Sequence, residues 1–149
     1  MSLNKIFSGM QISSSGLAGE RLRMEVAANN IANVHSTRTP EGGAYRRQRV
    51  SFQAVMNDTL SAGVSPDADT LKGVRVLGVT PDESPLTKIH DPGHPDADAS
   101  GFVEMPNVSL PQEMVDLVTA SRAYEANLKS METFRQMAEQ SLALLRDSR

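Results

Sequence analysis

A chain of 149 residues with 39% hydrophobic content has the length of one domain and material for a modest core, which leaves little room for a large independent active-site domain. The absence of cysteine removes disulfides, thiolate zinc sites and thiol nucleophiles, and a formal net charge of -3 argues against a general nucleic-acid binder, which needs surplus Lys and Arg at phosphates. Aromatic residues amount to 4%, with no Trp, against 8 Met, so the apolar surface is aliphatic and pliable, suited to helix packing more than to a deep pocket.

After Met1-Ser2-Leu3-Asn4-Lys5 no uninterrupted apolar run appears before Gly9, Gln11 and the Ser13-Ser14-Ser15 sequence, so a cleaved Sec-type signal is not expected. An apolar stretch of about 20 residues, the length of a membrane span, is not found either. Over residues 3–33 an apolar residue recurs at every seventh position, Leu3, Met10, Leu17, Met24 and Ile31, which predicts one seam of a helix. Four residues beyond the first four stand Phe7, Ser14, Arg21 and Ala28, so the second seam is half apolar. Gly9, Gly16 and Gly19 each cost about 1 kcal/mol relative to Ala. This helix is expected to be weak alone and to need a packing partner.

The middle of the chain has another character. Residues 45–52 and 73–80 read as short strands, rich in β-branched or aromatic residues between turn formers. Residues 61–70, mostly Ala, Gly, Ser, Pro and Asp, predict a mobile loop, which is expected to extend over an atypical stretch at 54–72. Pro81, Pro85, Pro92, Pro95 and Pro106 punctuate the chain after the second strand, so residues 82–107 are expected to be turn and extended chain.

The last segment carries the strongest periodicity. Ser109, Pro111 and Gln112 predict a helix start: a Ser N-cap, Pro in the first turn and Gln at the third helical position to complete a capping box. A 4-then-3 spacing then runs through Leu110, Met114, Leu117, Ser121, Tyr124, Leu128, Met131, Arg135, Ala138, Leu142 and Leu145, interrupted by Ser121 and Arg135. A helix over 111–145 would be roughly 50 Å long, whereas a compact chain of this size has a radius of gyration of about 15 Å. An elongated molecule is expected.

Two clusters raise the question of chemistry. Asp96, Asp98, Ser100 and Gly101, beside His90, Asp91 and His94, match the opening of a calcium loop, but the twelfth position, which needs a bidentate Glu, is Asn107. Asp and Asn also favour turns by bonding their own backbone, and Gly93 is expected to supply a positive φ there, so the loop reads as structural, with no metal. The alternative is a small metal-dependent hydrolase. Arg46, Arg47 and Arg49 could line a phosphate strip with Tyr45, but strand alternation sends Arg46 to the opposite face, so a solvated or inter-subunit strand is favoured over nucleic-acid binding. His35 reads as a loop residue, and no catalytic triad can be assembled from three scattered histidines.

Family resemblance enters through the two ends. Ser13-Ser14-Ser15-Gly16-Leu17, then Arg21 and Met24, then Ala27-Ala28-Asn29-Asn30-Ile31-Ala32-Asn33, resembles the N-terminal motif of bacterial flagellar rod and hook axial proteins. Glu113-Met114-Val115-Asp116, followed by Ala120-Ser121-Arg122-Ala123-Tyr124-Glu125-Ala126-Asn127, resembles their C-terminal motif. Residues 38–47, 91–98 and 105–108 narrow the likeness to the proximal-rod members, and only about 54–72 falls outside it.

The resemblance implies a structural protein and not an enzyme, without cofactors. Such proteins leave the cytoplasm through the flagellar type III export apparatus with no cleaved signal. In the periplasm they polymerise with copies of themselves and with other proximal and distal rod subunits into the drive shaft that transmits motor torque to the hook. It further implies an elongated α+β fold, in which an N-terminal helix (1–34) and a C-terminal helix (108–149) pair as a coiled coil around a small β-rich middle domain (35–107). Assembly is then expected to rest on the first seam (Leu3, Met10, Leu17, Met24, Ile31) with Asn29, Asn30 and Asn33. The second helix is expected to add Met114, Leu117, Ser121, Arg122, Tyr124 and Asn127, then Leu128, Met131, Leu142 and Leu145. Arg21, Glu25, Arg122 and Glu125 are candidates for fixing register between neighbours.

Overall fold

The structure, a computed structural model, describes residues 3–56 and 71–147, with side chains over 6–55 and 72–143. The predicted loop at 61–70 and the side chains of Leu3 and Leu145 lie outside the described residues. In chain order the elements are α1 (Leu3–Ala32), β1 (Gln48–Met56), β2 (Leu71–Pro81), β3 (Thr87–His90), β4 (Phe102–Met105) and α2 (Leu110–Asp147). Among the described residues the fold is α+β, two long helices and two small sheets of two strands each, β1 with β2 and β3 with β4.

Helix α2 begins at Leu110, and the Glu113 N–H donates to the Ser109 carbonyl at 3.0 Å, as an N-cap at Ser109 requires. Helix α1 ends where Asn33 turns back on its last turn: its N–H and its side-chain amide both donate to the Asn29 carbonyl, at 3.1 and 2.9 Å. The chain then folds back through a turn at Gly42 and Gly43, both at positive φ, where the Thr39 N–H donates to the Gly43 carbonyl and the Tyr45 N–H to Ser36.

Two expectations about the middle are corrected. The stretch at 54–72 is strand at both its ends, since β1 runs on to Met56 and β2 starts at Leu71. Residues 82–107, expected to be turn and extended chain, contain the antiparallel hairpin β3–β4, with Thr87 opposite Met105 and His90 opposite Phe102. Four-residue strands between prolines show too little alternation to be read locally. They are held by their mutual ladder, by the Lys88–Glu104 ion pair at 3.2 Å and by the buried Val103.

The chain divides into two compact units, each drawing on both ends. One unit comprises Met1–Arg21, Phe52–Leu77 and Ala120–Arg149. Within it a Cβ placed on Gly9 would lie 2.6 Å from the Phe134 ring, and one on Gly16 would lie 3.0 Å from the Asn127 amide. A step of seven up α1 is a step of seven down α2, so the two segments pack antiparallel, and glycine is what lets them approach. Strand β2 is tied to α1 by Ser15, whose hydroxyl donates to the Ile12 carbonyl at 2.7 Å and accepts from the Val74 N–H at 3.0 Å. Ile6, Ser13 and Ala120 are buried.

The other unit comprises Leu22–Ser51 and Gly78–Thr119. It holds the end of α1, the turn after it, the hairpin β3–β4 and the start of α2, around the buried Val26, Ala27, Ala44 and Val103.

Candidate functional site

At the centre of this second unit lies a polar joint. Asn30, on the last turns of α1, is 1% exposed, and Glu113, on the first turn of α2, is 2% exposed. The Asn30 side-chain amide donates to Glu113 Oε2 and to the Gln48 carbonyl, each at 2.9 Å, while its Oδ1 accepts from the Tyr45 hydroxyl and the Gln48 N–H, also at 2.9 Å. Both donors and both lone pairs of the amide are therefore used. By bonding both backbone groups of Gln48, the amide stands in for a peptide of a neighbouring strand and anchors β1 where it begins.

Glu113 is closed from the other side by Arg47, whose Nε donates to Oε1 at 2.6 Å. The same guanidinium reaches Asp116 Oδ2 at 3.2 Å, and Arg23 completes the row by donating to Asp116 Oδ1 at 3.2 Å. The Arg47 backbone is held as firmly: its N–H donates to Asn107 Oδ1 at 2.8 Å, and its carbonyl accepts from the Asp82 N–H at 2.7 Å. Asn107 in turn donates to the carbonyls of Asp82 and Ser84. Buried charges are tolerable only when paired and hydrogen-bonded, and here two arginines and two carboxylates alternate, with Asp82 4.0 Å from Arg47 at the edge. Glu113 also sits in the first turn of α2, where a negative charge meets the positive end of the helix dipole.

Two groups around the joint titrate away from their ordinary values. Burial pushes the Tyr45 phenol up, and the Glu113 carboxylate adds to that shift, in keeping with a hydroxyl that must keep its proton to donate to Asn30. The hydroxyl and N–H of Ser84, at 2.6 and 3.0 Å, hold the Asp82 carboxyl below its usual range, with smaller help from Arg49 and Arg47. These contacts fasten the end of α1, the start of β1 and the start of α2 together.

The expected assembly residues are distributed unevenly. Asn30 is in the joint, whereas Asn29 is exposed and Asn33 serves the end of α1. Met10, Leu17, Met24 and Ile31 are half-buried, beside a more deeply buried track through Ile6, Ser13, Ala27 and Asn30. On α2 the buried track passes through Glu113 and Ala120, with Leu117, Tyr124, Asn127, Met131 and Phe134 half-buried. It lies one residue before the predicted stripe at alternate positions: Ser121 is half-buried, while Met114, Arg122, Leu128 and Leu142 are exposed. The offset has a simple cause. Small and polar residues face inward where the helices come close, and larger apolar ones are displaced to the flanks.

The basic run is corrected in the same way. Strand β1 starts at Gln48, so Arg47 precedes it and turns inward to an intrachain pair, against the expectation of a solvated or inter-subunit strand. Arg46 is exposed near the Ser84 carbonyl, and Arg49 lies 3.8 Å from Asp82. In the loop resembling a calcium site, Asp98 Oδ1 accepts from the N–H groups of Ser100 and Phe102, and Asp96 accepts from the Thr37 hydroxyl. His94 Nδ1 accepts from the Asp96 N–H, and His90 packs edge-on against Phe102. Gly93 lacks the expected positive φ; that conformation belongs to Gly101, at 77°. Sequence reasoning missed the joint, although a charged residue at Glu113, seven before Ala120 and fourteen before Asn127, was a signal that a heptad track carried something other than apolar packing.

Comparison with known proteins adds a separate line of support. Residues 10–38 match the family described as flagella basal body rod protein, and residues 99–144 match that described as flagellar basal body rod FlgEFG protein C-terminal. The chain is 44% identical to the flagellar basal-body rod protein FlgC of Borreliella burgdorferi, over 94% of this chain and 97% of the relative. It is 36% identical to the protein of that name from Bacillus subtilis, over 93% and 97%, and 38% identical to that from Salmonella typhimurium, over 97% and 98%.

Proposed function

The chain belongs to the FlgC family of flagellar basal-body rod proteins and is a structural subunit of that rod; from this we propose that it polymerises with copies of itself and other rod subunits into a periplasmic shaft that carries motor torque to the hook. In this reading α1 and α2 pair along their length as an antiparallel coiled coil, and their uncovered apolar flanks are the contacts between subunits. The chain reaches that position through the flagellar export apparatus without a cleaved signal, and it performs no catalysis.

One observation carries the reading: α2 leaves large apolar side chains exposed, with Met114 at 55%, Val115 at 66%, Val118 at 58% and Leu142 at 58%. Exposed apolar surface of this kind marks sites of association. The antiparallel match of Gly9 with Phe134 and Gly16 with Asn127 supports the pairing. A shaft under torque needs subunits that neither slide nor shear, and apolar seams supply cohesion while the polar joint resists relative displacement of the segments it holds.

Replacing Leu128 and Met131 together with Asp tests the flank. Leu128 is 39% exposed and Met131 half-buried, so the isolated variant should stay helical by circular dichroism. In a strain lacking the wild-type gene, motility should be lost, and the variant should no longer fractionate with detergent-resistant basal bodies. Normal swimming of the double variant would remove the flank from the interface.

A further inference from the structure

The two helices carry repeats that discriminate poorly between pairings. On α1 the apolar positions Met10, Leu17, Met24 and Ile31 recur every seven residues, and on α2 Leu117, Tyr124, Met131 and Ala138 do the same. Sliding one helix past the other by a heptad, about 10 Å, brings apolar side chains back to apolar neighbours. Such seams are nearly indifferent to register, and coiled coils often resolve the ambiguity with a single buried polar residue.

The Asn30–Glu113 contact has no such repeat. A heptad slide in one direction carries Glu113 opposite position 37, beyond the end of α1 at Ala32. The opposite slide carries Asn30 opposite position 106, before the start of α2 at Leu110. It sets Glu113 opposite Arg23, which can replace Arg47 as its guanidinium partner but leaves the buried Asn30 amide without the carboxylate it donates to. Either displacement parts an amide that is 1% exposed from a carboxylate that is 2% exposed, and draws that carboxylate away from Arg47. Groups stranded in this way are penalised far more than a misplaced methyl group.

Resting on the reading that the terminal helices pair, we propose that the Asn30–Glu113–Arg47 joint is the register determinant of that pairing, selecting one alignment among heptad-equivalent ones. The joint acts by excluding alternatives, so its loss lets the helices pair in more than one alignment even where the chain stays folded and stable.

The test uses the absence of native cysteine to place spin labels at Ala28→Cys and Val115→Cys, two exposed positions within the same unit. Pulsed electron paramagnetic resonance of the otherwise unaltered chain should give one narrow distance. A broad, featureless distribution there would remove the pairing, and this proposal with it. In the labelled chain carrying Asn30→Leu, Arg47→Met and Glu113→Leu, a second population displaced by up to about 10 Å is expected while helical circular dichroism is retained. A joint that only stabilises would change the denaturation midpoint and leave the single distance in place, an outcome that overturns the proposal while the pairing stands. Should the triple variant fail to fold, Asn30→Leu with Glu113→Gln, which removes both the shared amide contact and the buried charge while keeping side-chain volume, serves the same purpose: a second distance supports the proposal, and an unchanged single distance overturns it.

Discussion

Where α1 meets α2 in the first unit, contact is made by absence: glycines at positions 9 and 16 leave room for Phe134 and Asn127. In the second unit it is made by partnered charge, with Glu113 closed between Asn30 and Arg47. The first arrangement tolerates small adjustments, because a ring or an amide can shift by tenths of an ångström. The second fails abruptly, because a buried carboxylate without its partners has no cheap alternative. The same helix pair thus combines a forgiving contact with an exacting one.

The contrast is tested most severely at Glu113. Glu113→Ala removes the buried carboxylate that Asn30 and Arg47 share, leaving Arg47 with Asp116 and Asn30 with the Gln48 carbonyl, and should cost about 3 kcal/mol in urea denaturation; a loss under about 1 kcal/mol, the worth of an exposed pair, would show the joint to be ordinary surface electrostatics. Next comes Gly9→Val, which drives a branched side chain into the Phe134 ring and should cost about 1–3 kcal/mol through overpacking. Because that cost arises from one contact, Phe134→Ala should relieve part of it. Strict additivity in the double-mutant cycle would deny the contact.

A smaller effect is expected away from the helices. Gly101→Ala forces a Cβ into the left-handed region at φ 77° and within 3.2 Å of Pro92, at a cost of about 1–2 kcal/mol. Gly93→Ala, whose Cβ would meet Asp91 Oδ1 at an ordinary 3.6 Å and which has no positive φ, should stay within about 0.5 kcal/mol. Equal costs at the two glycines would mean that the loop is held by something other than backbone conformation.

Below Gly101→Ala comes Tyr45→Phe, which deletes one hydrogen bond to Asn30 and should cost about 0.5–1.5 kcal/mol. Its signature is in the pH dependence. The Tyr45 phenol is raised above its ordinary 10.0, so its contribution is whole below about pH 10 and is lost as the pH rises through the folded value. The Asp82 carboxyl is lowered from 3.8, so its contribution is present above about pH 4 and is lost as the pH falls through the folded value. Tyr45→Phe should flatten the alkaline limb of the denaturation midpoint and Asp82→Asn the acid limb. Exchanged effects would refute both assignments.

The helices were legible because their signals are local and repeated: seven-residue spacing at both ends, and a Ser109–Leu110–Pro111 start that α2 uses. Strands β1 and β2 were legible in outline from β-branched residues, although their extents were not. The hairpin β3–β4 is hidden by its brevity, and composition says that a turn is near Gly93 and Gly101 but not which residue takes the positive φ. The paired end motifs also carried the family, and both contribute to the contacts between the helices: Gly16 lies against Asn127, and Asn30 against Glu113.

What the sequence determined by itself was therefore the set of elements and the kind of protein they build, because periodicity and end motifs are written within single segments. Which face of each helix turns inward was decided only in three dimensions. The most apolar stripe is the natural choice when a helix is read alone, but two helices that approach over Gly9 and Gly16 bury their small residues first and push Met114, Leu128 and Leu142 to the flank. Arg47 and Glu113, 66 residues apart, become a partly buried pair only when the turn after α1 brings β1 to the start of α2. The value of a charge depends on what the fold sets beside it, and no local pattern encodes that neighbour.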